Sequence, residues 1–158
     1  MLSLLFYAAL AVAASHDRLA HRAIAVAPAE TLAVSTAGAG PTVVLLPGMI
    51  GGSYAWRHVA GGLVQRGFGV VIIELLGTGR SNRPGGADYS LEGQAERVRV
   101  VLDSLGVRSA LIAAHGIAGS VAFRLALAHP DRVRGILREE REARRKANEN
   151  LEHLKALY

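Results

Sequence analysis

The chain has 158 residues, 51% of them hydrophobic, which is enough apolar material for one compact domain with a real core. Its net charge is +5, yet the basic residues are scattered and aromatic residues make up only 5%, so no nucleic-acid partner is expected. With no cysteine, neither a disulfide framework nor a thiolate zinc site is available, and no cofactor or metal is expected.

The first element is an apolar run from Leu2 to Ala14, in which Ala11-Val12-Ala13 has the small-residue form of a signal-peptidase site. The run is short for crossing a bilayer, and no Lys or Arg precedes it, the first being Arg18. Residues 1–15 therefore have two readings: a signal peptide, which makes the protein secreted or periplasmic, or a hydrophobic N-terminal helix, which leaves it cytoplasmic.

Residues 16–137 read as one domain in which short β-rich runs alternate with helical patterns, the mark of an α/β fold with a parallel sheet and flanking helices. Ala23 to Val26 and Leu32 to Thr36 form a leading hairpin around Pro28, and Gly38-Ala39-Gly40-Pro41 closes the second strand. Thr42 to Leu46 is a buried strand ending at Pro47-Gly48. Ser53 to Arg66 is a helix stopped by Gly67, and Gly69 to Glu74 is the next buried strand. Ser90 caps a helix running to Leu105, with Gly93 a weak point inside it and Gly106 its terminator. Ala110 to Ala114 is a fully apolar strand, and a helix from Ile117 to Ala128 follows it directly.

Composition changes after Gly135. All 18 glycines lie at or before it, and both lysines, Lys146 and Lys155, lie after it. Eleven of the twenty-one residues from Arg138 to Tyr158 are charged, with no Gly, Pro or Thr among them, so residues 138–158 are expected to form a charged amphipathic helix. Glu140 with Arg144, Glu142 with Lys146 and Arg145 with Glu149 are opposite charges four apart. Ala143, Ala147, Leu151, Leu154 and Tyr158 trace one narrow apolar stripe. Such a helix either rests on its own domain or pairs with a partner.

Three segments carry a family likeness. Ala114-His115-Gly116-Ile117-Ala118-Gly119 joins a strand to a helix through small residues; Leu45-Leu46-Pro47-Gly48-Met49 ends an earlier strand; and Glu74-Leu75-Leu76-Gly77-Thr78-Gly79-Arg80-Ser81 makes a glycine-rich turn. In this order and spacing they resemble the nucleophile elbow, the oxyanion loop and the Asp-x-x-Gly-x-Gly-x-Ser turn of α/β-hydrolases. Trp56, Tyr89-Ser90-Leu91 and Ala128-His129-Pro130-Asp131-Arg132-Val133 extend the resemblance, which covers about residues 22 to 137.

The resemblance implies hydrolysis through an elbow side chain activated by a histidine that a carboxylate holds. Here the elbow position is Gly116, a vestigial nucleophile position with nothing to attack a carbonyl. Ser120 lies a turn further into the helix and is read as a helix–sheet contact. Glycine also relieves the strained backbone such an elbow imposes. His115 is expected to pack beneath the turn, and His58 and His129 read as surface or capping residues. The acid and histidine donors, which the family places after later strands, are expected to be missing, because the chain passes from Leu137 into the charged helix. By resemblance the oxyanion donors are the backbone N–H groups of Met49 and Ile117. Glu74 is expected to brace the Gly77-Thr78-Gly79 turn.

These features favour a truncated hydrolase-like domain that is an inactive scaffold, a pseudoenzyme. The alternatives are a pseudo-hydrolase binding a small acyl or carboxylate ligand in the notch between Met49 and Ile117, or an inactivated piece of a serine esterase-type hydrolase. Self-association is expected through the charged helix or through an open sheet edge near Ala110 to Ala114.

Overall fold

The computed structural model describes residues 19–138. The expectations for residues 1–15 and for the charged helix beyond Arg138 lie outside them.

The described chain runs β1 (Ala20–Ala27), β2 (Glu30–Ala37), β3 (Thr42–Leu46), α1 (Arg57–Val64), β4 (Gly69–Ile73), α2 (Leu91–Ser104), β5 (Ala110–Ala114), α3 (Ile117–Ala128) and β6 (Val133–Arg138). Short 3-10 turns, Gly52–Trp56 and Pro130–Arg132, precede α1 and β6. The strands form one six-stranded sheet in the order β1-β2-β4-β3-β5-β6. β1 and β2 are antiparallel to each other, as the hairpin reading requires, and β2 is antiparallel to β4. The pairs β3–β4, β3–β5 and β5–β6 are parallel.

The central strands carry near-continuous apolar runs because both of their faces are covered. On one face Val44, Leu46, Ile73 and Ile112 pack against Val98, Val101 and Leu102 of α2 and Val121 and Leu125 of α3. On the other, Val43, Leu45, Val70 and Ile72 meet Trp56 and Ala60, so among the described helices it is α1, with the 3-10 turn before it, that covers that side. Alternation along each strand produces this division.

The helix starts follow local chemistry. At α2 the Ser90 Oγ accepts the Gly93 N–H at 3.0 Å, and Asp88 in turn accepts from the Ser90 N–H and hydroxyl. Gly93 is more than a tolerated weak point: a Cβ there would come within 2.6 Å of the Asp88 carboxylate. A part-buried ion pair ties the hairpin to α2, with Arg97 donating to both carboxylate oxygens of Glu30 at 2.7 and 2.8 Å and to the Asp88 carbonyl at 2.6 Å. This bidentate geometry holds the Glu30 carboxyl below its ordinary pKa, chiefly through the Arg97 hydrogen bond.

Three expectations change. The single helix from Ser53 to Arg66 is a 3-10 turn followed by a shorter α-helix, because Gly51 and Gly52 hold the entry in left-handed backbone. The open edge is not β5: β6 pairs along its whole length, from Ala110 opposite Val133 to Ala114 opposite Arg138, so β6 is the outer strand. Arg138 accordingly ends a strand rather than starting a helix. The charged residues after it hid this, since Val133 to Arg138 alternates too briefly, around Gly135, to stand out as a strand.

Candidate functional site

The sheet topology selects one end of the molecule. From β3 the chain moves to β4 on one side and returns across to β5 on the other, so β3 is flanked by two later strands and the connections leave it in opposite directions. Such a switch point opens a crevice at the carboxyl ends of the strands. The loops there are Pro47 to Gly51 after β3, Glu74 to Ser81 after β4 and His115-Gly116 after β5.

Gly116 is the second of the two residues that turn β5 into α3. Its backbone sits at φ 60° and ψ −131°, a conformation that L side chains rarely adopt. Yet a Cβ built there would meet nothing within 4 Å. The elbow tip is therefore strained in its backbone and open in its surroundings. Ala118 and Gly119 lie buried beneath it at the helix–sheet contact, and the Gly119 N–H donates to the Gly116 carbonyl at 3.0 Å.

His115 does not pack beneath the turn. It is exposed, its N–H donates to the Leu46 carbonyl at 3.1 Å, and its ring lies where a Cβ on Gly48 would come within 2.7 Å of Nδ1. Gly48 thus lets the loop after β3 and the turn after β5 approach each other. Ser120 is half-buried one turn into α3, away from the tip. His58 is exposed on α1, and His129 caps the end of α3, 3.3 Å from Glu96.

Glu74 is 3% exposed and organises the loops around it. One carboxylate oxygen accepts the Ser53 N–H at 2.7 Å and the other the Arg80 N–H at 2.5 Å. Burial pushes the carboxyl pKa up, but the Arg80 and Ser53 N–H groups, the Ser53 hydroxyl and the Arg80 charge outweigh it and hold it below the ordinary value. The expected brace is therefore wider than the glycine turn. It links that turn to the loop after β3, and Gly79 presses against the carboxylate with no room for a Cβ. Ser81, 1% exposed, completes the turn by donating to the Glu74 carbonyl at 2.6 Å and accepting the Ala33 N–H at 2.9 Å.

Met49 and Ile117 come together on one open cleft of about 360 Å³ beside the elbow. As the first residue of α3, Ile117 carries an N–H with no partner inside its own helix. The cleft floor is apolar, with Leu75, Leu76, Leu91 and Val121, and Thr78, Arg83 and Tyr89 supply polar atoms at its rim. Tyr89 and Arg83 do not read as site residues in sequence. Only the fold of the long loop before α2 brings them over the cleft. A hollow of about 440 Å³ between α2 and α3 lies away from the elbow. Among the described residues no group of His, Cys, Asp or Glu is arranged to hold a metal ion.

Residues 41–137 match the family model described as the alpha/beta hydrolase fold. Bifunctional epoxide hydrolase 2 of Rattus norvegicus is 32% identical over 130 residues, which is 82% of this chain and 24% of that protein. The putative carbamate hydrolase RutD of Azorhizobium caulinodans is 40% identical over 99 residues, covering 63% of this chain and 37% of the relative. Epoxide hydrolase VrEH1 from Vigna radiata superimposes with a TM-score of 0.72 at 27% identity, over 78% of this chain and 39% of that one. The chain thus spans well under half the length of these relatives. The switch-point crevice, Gly116 and the Glu74-braced loops all lie within the matched residues, and the chain belongs to the α/β-hydrolase fold family.

Proposed function

We propose that this domain is a catalytically silent hydrolase scaffold, a pseudoenzyme in which the elbow holds its shape without performing covalent chemistry. The observation that carries the proposal is Gly116 at the tip, at φ 60° and ψ −131°, with no side-chain atom to attack a carbon centre. Neither neighbour replaces it: Ser120 sits a turn into α3, and the His115 ring leans on Gly48. The test compares the chain with a Gly116→Ser variant on a short-chain nitrophenyl ester. No turnover by the chain above a heat-denatured control is expected; clear turnover by the unmodified chain overturns the proposal. Turnover by the serine variant alone means that a usable base lies within this chain.

The cleft favours a second reading, in which the same scaffold binds a small molecule. An apolar floor with a few convergent polar groups at its rim is the usual form of a ligand site. The relatives act, by their names, on epoxides and a carbamate, so suitable candidates combine a small apolar body with one polarised oxygen function. Short-chain carboxylates, epoxides and carbamates are the probes. A ligand at one hundred times its dissociation constant stabilises the fold by about 2.7 kcal/mol, which thermal unfolding detects readily. A screen of all three classes without any shift removes this reading and leaves the first intact.

A further inference from the structure

The long loop between β4 and α2 carries a cation to the rim of the cleft and fixes it there. Asn82 is tied on four sides. Its N–H donates to the Thr31 carbonyl at 3.1 Å, its carbonyl accepts the Gly77 N–H at 3.0 Å, its Oδ1 accepts the Thr31 N–H at 2.8 Å and its Nδ2 donates to the Ala29 carbonyl at 2.6 Å. Further on, the Tyr89 hydroxyl donates to the Pro84 carbonyl at 2.9 Å. Between these anchors stands Arg83, an exposed residue that lines the 360 Å³ cleft. A backbone held on both sides leaves less freedom to lose when the side chain meets a ligand.

The other polar groups of the cleft are turned to the protein itself. Thr78 donates its hydroxyl to the Leu75 carbonyl at 2.9 Å, and Gln94 bonds both the N–H and the carbonyl of Leu76, at 3.1 and 2.9 Å. The Arg83 guanidinium, by contrast, makes one hydrogen bond among the described residues, to the Gly79 carbonyl at 3.2 Å, and pairs with none of their carboxylates. Most of its donors are therefore open to a ligand. No Asp or Glu lines the cleft, and the carboxylates of the surrounding loops are engaged elsewhere: Glu74 by Ser53 and Arg80, Glu30 by Arg97, Asp88 by Ser90. Building on the reading of this cleft as a ligand site, we propose that it takes a small amphipathic monocarboxylate. The tail lies on Leu75, Leu76, Leu91 and Val121, and the carboxylate meets the Arg83 guanidinium, whose planar fork matches it at two points. At about 30 Å³ for each small group, the share of a water molecule in the liquid, 360 Å³ holds about a dozen non-hydrogen atoms.

Octanoate and the uncharged octanamide, titrated calorimetrically into the full chain, test the contact. Octanoate is expected to bind about ten-fold or more tightly than octanamide, the factor that a charge-assisted hydrogen bond represents. Arg83→Gln should bring octanoate down to the level of octanamide and leave octanamide unchanged. Arg124→Gln, which removes the same charge from the separate hollow between α2 and α3, should leave both affinities as they are. Equal binding of the two probes by the unmodified chain, or octanoate binding that survives Arg83→Gln, overturns the arginine contact while the cleft remains a ligand site. An equal loss in the two arginine variants overturns it as well, because octanoate then responds to net charge alone. Binding of neither probe overturns the proposal together with the reading of the cleft on which it rests. The comparison of the two probes on the unmodified chain decides the matter even if Arg83→Gln misfolds.

Discussion

The brace at Glu74 and the tip at Gly116 belong to one site and are built in opposite ways. Around Glu74 each carboxylate oxygen is engaged, the neighbouring glycine is compressed against it, and the group is closed from water. Around Gly116 nothing approaches within 4 Å of a would-be Cβ, and the residue offers only a strained backbone. The difference teaches that the shape of a hydrolase site and its reactive group are separate properties. The loops are held by contacts that do not include residue 116, so their shape does not depend on a side chain there.

The sharpest way to break the comparison is Glu74→Ala. It strands the part-buried Ser53 and Arg80 N–H groups, at up to about 1–3 kcal/mol for each, and the loss is expected in urea unfolding. Adding a side chain at the tip should do less. Gly116→Ala meets no clash and pays only backbone strain, about 1–3 kcal/mol in all, read from the same unfolding midpoints.

Acid should act on the brace and leave the tip untouched. Glu74 and Glu30 both titrate below their ordinary carboxylate values when folded, Glu74 because its N–H donors and Arg80 outweigh burial, Glu30 because Arg97 is bound to it. Their contribution is therefore fully present above about pH 4.5 and falls as pH drops through the lowered folded values. Urea midpoints measured between pH 7 and pH 3 should decline, and Glu74→Gln should flatten part of that decline. The effect is smaller than that of Glu74→Ala, since a protonated carboxyl still accepts hydrogen bonds. Smallest of all is His115→Ala: the side chain is exposed, and its removal should shift stability by no more than about 0.5 kcal/mol.

Much of this was legible beforehand, for reasons that differ by element. β3, β4 and β5 are short apolar runs between glycine and proline breakers, and their bounds follow from that pattern. The Ser90 cap and the Gly106 stop are local hydrogen-bond chemistry, readable within a few residues. β6 was lost because its strand character depends on β5 beside it, while its own residues shade into a charged stretch. The exposure of His115 depends on how closely Gly48 approaches it, a contact between residues from different loops. The partnership of Ser53 with Glu74 was likewise invisible, because a backbone N–H donor leaves no mark on residue type.

By itself, then, the sequence determined the α/β alternation, the order of the three loop motifs and the lack of a side chain at residue 116, since each rests on periodicity or on the identity of a single residue. The tertiary structure alone decided which strand lies beyond β5, which helices pack on which face of the sheet, and how Met49, Tyr89 and Ile117 meet on one cleft. Those outcomes rest on contacts between residues far apart in the chain, and such contacts exist only once the sheet has assembled.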